Sequence, residues 1–160
     1  MSTKQVLIEE LEAAVSGEPW HGPSLRDILK SVNFAMANSR PVPQVHSIAE
    51  IVMHLIAWTE EIADRLEGHP SSMPERGDWP SVDTLNEEDW NKILFDLSAA
   101  HQLLILNLQD FSDDNLQNII GAERDTPLGS GLTYEVMLHG LAQHHAYHGG
   151  QIALLSKMLK

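Results

Sequence analysis

The chain has 160 residues, 42% of them hydrophobic, with 10 Lys plus Arg against 23 Asp plus Glu and no cysteine. That length fits a single domain over residues 1–160, with enough core to stand without disulfide or metal staples. A formal charge of -13 argues against nucleic acid and anionic membrane surfaces as partners, since both need a basic footprint. The missing thiol removes disulfides, thiolate metal ligands and a protein-borne sulfur nucleophile together.

Residues 2–16 place Val6, Leu7, Leu11, Ala14 and Val15 at helical spacing among acidic residues, and Gly17-Glu18-Pro19 stops that helix. The opening residues Met1 to Glu10 lack a basic stretch followed by a sustained apolar run, and no segment is apolar enough to span a bilayer, so the expected location is the cytoplasm. Trp20 to Ser24 is a turn. A short helical piece follows, with Leu25, Ile28, Leu29 and Val32 on one face, and dissolves before Pro41 and Pro43.

Ser47-Ile48-Ala49-Glu50 has the pattern of a capping box, so a helix should start at Ser47 and run to Leu66 or Glu67. Its stripe is Ile48, Ile51, Val52, Leu55, Trp58, Ile62 and Leu66, and Gly68 with Pro70 ends it. Residues 68–85, rich in Pro, Ser, Gly and charge, form a long connection of the kind that is often functional or partly disordered. Asn86 caps the next helix, which carries Trp90, Ile93, Leu94, Leu97, Leu104, Ile105 and Leu108 and ends near Asp110. Phe111 to Gly131 reads as irregular. Thr133 opens the last helix, with Met137, Leu141, Ile152, Leu155 and Leu159 as its stripe. Four long amphipathic helices without period-two runs describe an all-α bundle.

The chemistry concentrates in His144-His145-Ala146-Tyr147-His148-Gly149-Gly150-Gln151 on the last helix. Histidines four apart lie one turn apart on the same face, so their ring nitrogens can converge on one ion. Helical phase puts His148 near the middle of the apolar stripe and leaves His144 and His145 flanking it on opposite sides. A single buried histidine more often packs than ligates, but a pair at ligand spacing inside an apolar stripe brings the two readings level. A third ligand has to come from another helix: His54 is the leading candidate and His101 its competitor. His21, His46 and His69 sit in turns or loops and read as solvated surface residues, while His139 points away from His144 and His148.

Other metal and catalytic patterns are missing. Glu135 to His139 and Glu50 to His54 are spaced i, i+4, unlike the Glu-x-x-His of di-iron bundles. There is no His-Glu-x-x-His, no Gly-x-Ser-x-Gly and no phosphate-cradling glycine loop.

Three stretches together, Trp20-His21-Gly22-Pro23-Ser24-Leu25, Ser47 to Leu55 with Trp58, and His144 to Ile152, resemble the DinB-like proteins over nearly the whole chain. The resemblance implies an up-down-down-up four-helix bundle that holds a divalent metal on His54, His144 and His148. Relatives often carry Asp where this chain has His145, which makes that imidazole a neighbour or stray alternative ligand. Zinc or nickel is the expected ion, and iron or manganese also suit the ligand type. The resemblance further implies a metal-dependent enzyme that activates a low-molecular-weight thiol or water for transfer or hydrolysis on a small-molecule substrate. The alternative is a non-catalytic metal-binding or stress-related scaffold. Gln151 and Tyr147 are candidate helpers beside the ion, and a homodimer is expected from the family's habit of pairing.

Overall fold

Six polar residues start six helices in the computed structural model, which describes residues 1–121 and 131–160. Ser2, Ser24, Asn33, Ser47, Asn86 and Thr133 each accept, through a side-chain oxygen, the backbone N–H three residues on. Each bond satisfies a donor that the first helical turn leaves without a partner. The helices are α1 (Thr3–Ser16), α2 (Leu25–Leu29), α3 (Phe34–Asn38), α4 (Ile48–Leu66), α5 (Glu87–Asp110) and α6 (Tyr134–Met158), with one 3-10 turn at Asp113–Asn115. Ser47 and Asn86 both form complete capping boxes, with Glu50 and Asp89 reaching back to the cap N–H. The described residues form an all-α bundle around α1, α4, α5 and α6, with no strand beyond an isolated Ile119–Thr133 bridge.

The segment before Pro41 differs from its reading as one helical piece. Helix α2 stops at Leu29, and Asn33 opens α3 by taking the Met36 N–H at 2.9 Å. Asparagine offers the backbone this local partner in place of a continued helix, so a second short helix forms that apolar spacing does not reveal. The expected irregular stretch Phe111 to Gly131 is described only as far as Gly121 and again at Gly131.

The core divides into two apolar clusters. One gathers Leu25, Leu29, Ile48 to Ile56 of α4, Trp90 to Ala100 of α5, and Ile152 with Leu155 of α6. The other gathers Leu7 and Leu11 of α1, Ile62 to Leu66, Leu104 to Leu108, and Met137 to Ala142. Between them, at the same level of three helices, lie the buried polar residues Thr59, His101, His145 and His148. A polar seam thus crosses an otherwise apolar bundle.

Helices α4 and α5 pass through the two clusters in the same order, and α6 passes through them in the reverse order. The connection between α4 and α5 must therefore travel back along the bundle, which is why it is long. It is pinned to α4 as it goes. The Ser72 N–H and hydroxyl donate to the Glu61 carboxylate at 2.8 and 3.1 Å, and Arg76 grips Glu60 at 2.6 and 2.9 Å. Trp58 Nε1 then donates to Asp78 at 2.7 Å, and Asn38 closes the run with two bonds to the Leu85 backbone. Among the described residues no helix is long and apolar enough to cross a membrane.

The seam makes stability depend on pH. Burial holds His101 down to about 4 and His145 down to about 3, so both are neutral in the folded protein. Unfolded histidine takes up its proton near 6.5. Between that value and the folded one the unfolded chain binds more protons, so stability falls as pH falls. In metal-free protein the contribution is complete above pH 6.5. It is lost at up to about 1.4 kcal/mol per pH unit per histidine on the way toward pH 4. Urea midpoints between pH 7 and 5 should show this slope, and His101→Gln should flatten it. An unchanged midpoint across that range would contradict a neutral, buried pair.

Candidate metal centre

Helix α4 brings His54 to the site, and α6 brings His144 and His148 one turn apart. One ring nitrogen from each of the three lies within 4.8 Å of the others. His54 Nε2 and His144 Nε2 stand 3.0 Å apart, and the ring of His148 is edge-on to both. His54 and His148 are buried, and His144 is partly so.

Hydrogen bonds settle which nitrogens carry lone pairs. His54 Nδ1 lies 2.5 Å from the Asp78 carbonyl oxygen and 3.3 Å from its carboxylate, and since both are acceptors, Nδ1 is the donor. His148 Nδ1 donates to Gln151 Oε1 at 2.6 Å. Both imidazoles, when neutral, therefore keep their lone pair on Nε2. Binding the far nitrogen of a ligating histidine to an oxygen in this way orients the ring and raises its basicity. Burial, followed by the neighbouring His148 and His54, holds His144 down to about 4, and burial also depresses His148. Neutral imidazole is the form that binds metal, so the protein presents ready ligands near pH 7.

His145, which helical phase could not separate from His144, turns the other way. The Thr59 hydroxyl donates to the Leu55 carbonyl at 2.7 Å, so it accepts the Nε2–H of His145 at 3.2 Å. His145 Nδ1 and His101 Nδ1 are buried without a hydrogen-bond partner among the described residues. Although His145 is the most deeply buried histidine, it belongs to the seam. His101, the competing third ligand, lies there as well, outside the group of three. His139 bonds to Glu10 at 2.7 Å, away from the site.

Two features of the site were absent from the sequence reading. Asp78 and Trp79 arrive from the long connection, after Gly77 turns it with a φ of 85° that favours glycine. Trp79 lies flat between His54 and His46, with ring centroids 3.9 and 3.7 Å away and planes within 5°. His46 is exposed and lies outside the group of three, in keeping with its reading as a surface histidine, and the structure adds that its ring stacks on Trp79 at the site wall. The only sequence signal for this was the length of the 68–85 connection. Gln151 holds His148, as its spacing suggested, while Tyr147 is mostly exposed with its ring edge-on to His148.

A helical bundle that brings together three convergent imidazoles, two buried and one partly so, with two of their tautomers already set, has a donor set compatible with a divalent metal. The chain belongs to the DinB superfamily, whose family model matches residues 20–152. A crystal structure described as the conserved protein of locus from Enterococcus faecalis superposes with a TM-score of 0.74 at 18% identity. The match covers 99% of this chain and 97% of the other, and it shows the common fold. No curated protein matches the chain.

Proposed function

We propose that His54, His144 and His148 hold one divalent ion, zinc or nickel, and that the protein is a metal-dependent enzyme acting on a small molecule. The observation that carries this reading is the pair of Nδ1–H bonds to Asp78 and Gln151, which leave Nε2 lone pairs in a buried cluster. An ion bound there lowers the pKa of a coordinated water or thiol, making hydroxide or thiolate accessible at neutral pH. The chain has no cysteine, so a thiol has to come from a low-molecular-weight cosubstrate. Space supports a two-reactant transfer: one cavity of about 560 Å³ reaches His54 and His148, and another of about 530 Å³ reaches His144 from a different side.

The protein's own part is to orient the imidazoles, disfavour by burial the charged forms of His144 and His148, and cover His54 with Trp79. Gln151 is a positioning residue in this scheme. Gln151→Ala is expected to weaken zinc binding about 10- to 100-fold, the usual cost of removing a ligand's hydrogen-bond acceptor, while leaving the helical circular dichroism unchanged. Competition with a zinc-binding dye measures this, and equal affinity would remove Gln151 from the site.

The reaction itself is tested by incubating metal-loaded protein with a panel of thiols and electrophilic acceptors, with chelated protein as control. Turnover that needs both metal and thiol supports transfer, and turnover with water alone supports hydrolysis. No turnover, together with a large fall in Tm on chelation, would leave the ion a structural role.

A further inference from the structure

The cavity that reaches His54 and His148 has walls of a particular kind. Its apolar side comes from Val45, Ile51, Leu154 and Leu155, its aromatic side from Trp79 and Tyr147, and its neutral polar groups from Gln44, Gln151 and the imidazoles. No lysine, arginine or carboxylate is among the described residues that line it. Arg40, whose guanidinium donates to the Val45 carbonyl at 3.3 Å, is already paired with Glu50. His46 Nδ1 faces the same carboxylate at 3.5 Å.

In the metal-free protein an anionic ligand entering here would lose its hydration without gaining a cation, and a surface of net charge -13 would oppose its approach. A neutral ring meets the opposite situation. Its apolar area is removed from water, and it meets aromatic edges: Trp79 and Tyr147 both stand nearly perpendicular to His148, at 79° and 78°. Edge-to-face contacts of this kind favour a further aromatic group. Both faces of Trp79 are covered by His46 and His54, so the wall is already in place before a ligand arrives. The volume of about 560 Å³ is ordinary for a small-molecule site.

From these walls we propose that the cavity binds an uncharged, apolar or aromatic small molecule, with its reactive group toward His54 and His148, and that its walls, in the absence of the ion, discriminate against anions. That this molecule is the acceptor in the reaction rests on the function proposed above. The charge selectivity of the cavity does not.

The test pairs two probes of the same shape, 2-naphthamide and naphthalene-2-sulfonate, titrated by calorimetry and saturation-transfer NMR. Zinc-loaded and chelator-treated protein are each used, and zinc uptake is measured separately. The amide is expected to bind one site at least tenfold more tightly than the sulfonate in the chelator-treated protein. Leu154→Glu, a substitution at an exposed residue of the cavity rim, should weaken the amide at least tenfold while leaving circular dichroism and zinc uptake unchanged. Equal or tighter binding of the sulfonate, or amide binding indifferent to Leu154→Glu, overturns the proposal. Selective amide binding in protein that takes up no zinc would retain the cavity and discard the metal reading.

Discussion

His148→Ala is expected to weaken zinc binding by well over 100-fold, whereas the wild-type chain should saturate at about one ion per chain. The size follows from what the substitution removes. Loss of an acceptor behind a ligand already costs 10- to 100-fold, and His148 is itself one of three donors, with its Nδ1 held by Gln151 at 2.6 Å. The readout need not be activity. Zinc at 100 times its Kd stabilises the folded state by about 2.7 kcal/mol, so the wild type should gain Tm on zinc addition and His148→Ala should gain almost none. His54→Ala and His144→Ala should behave alike. His145→Asn should still bind the ion, because His145 is committed to Thr59 at 3.2 Å. Untreated protein without metal, and no uptake on titration, would end the metal assignment. Retained binding in His144→Ala with loss in His145→Asn would exchange the two ligands.

Glu61→Ala should cost about 3–5 kcal/mol of folding stability, the range found when one member of a buried ion pair is removed. Glu61 and Arg65 are both buried on α4, with Arg65 Nε donating to Glu61 at 2.9 Å. The same carboxylate accepts the N–H and hydroxyl of Ser72, so it also anchors the start of the returning connection. Losing it removes the Glu61 carboxylate from a buried ion pair and frees the segment leading to Asp78. Urea denaturation of wild type and variant measures the difference, and a change under 1 kcal/mol would refute the role. By contrast, Glu60→Ala breaks the partly exposed Arg76 pair and should cost at most about 1 kcal/mol.

The helices were legible because their determinants are local. Caps at Ser47, Asn86 and Thr133 act within three residues, and the stripes of α4, α5 and α6 repeat with the helical period. The boundary of α4 at Leu66 and of α5 at Asp110 accordingly fall where the spacing puts them. The i, i+4 pair His144 and His148 was visible for the same reason. Helix α3 was missed because its origin is one asparagine side chain, not an apolar pattern.

Which histidine faces the site is a different kind of question. His144 and His145 differ by 100° around one helix, and phase puts each at an edge of the same stripe. Thr59 captures one and the site receives the other, and Thr59 lies 86 residues away in sequence. Burial alone would have chosen wrongly, since His145 is the more buried of the two. Resemblance to the family, not spacing, brought His54 to the pair, and the tertiary structure places the three ring nitrogens together.

By itself the sequence determined an acidic, cysteine-free, all-α chain with a ligand-spaced histidine pair on its last helix, because composition, capping and periodicity are properties of short stretches. The family resemblance implied that α4 and α5 run the same way, and only the tertiary structure decided the path of the connection between them through the two core clusters. That arrangement sends residues 68–85 back along α4, past Glu61, Glu60 and Trp58 in turn, and delivers Asp78 and Trp79 to His54. The physical reason is that these contacts are made between segments brought together by core packing, and no local pattern of the connection encodes where its middle will land.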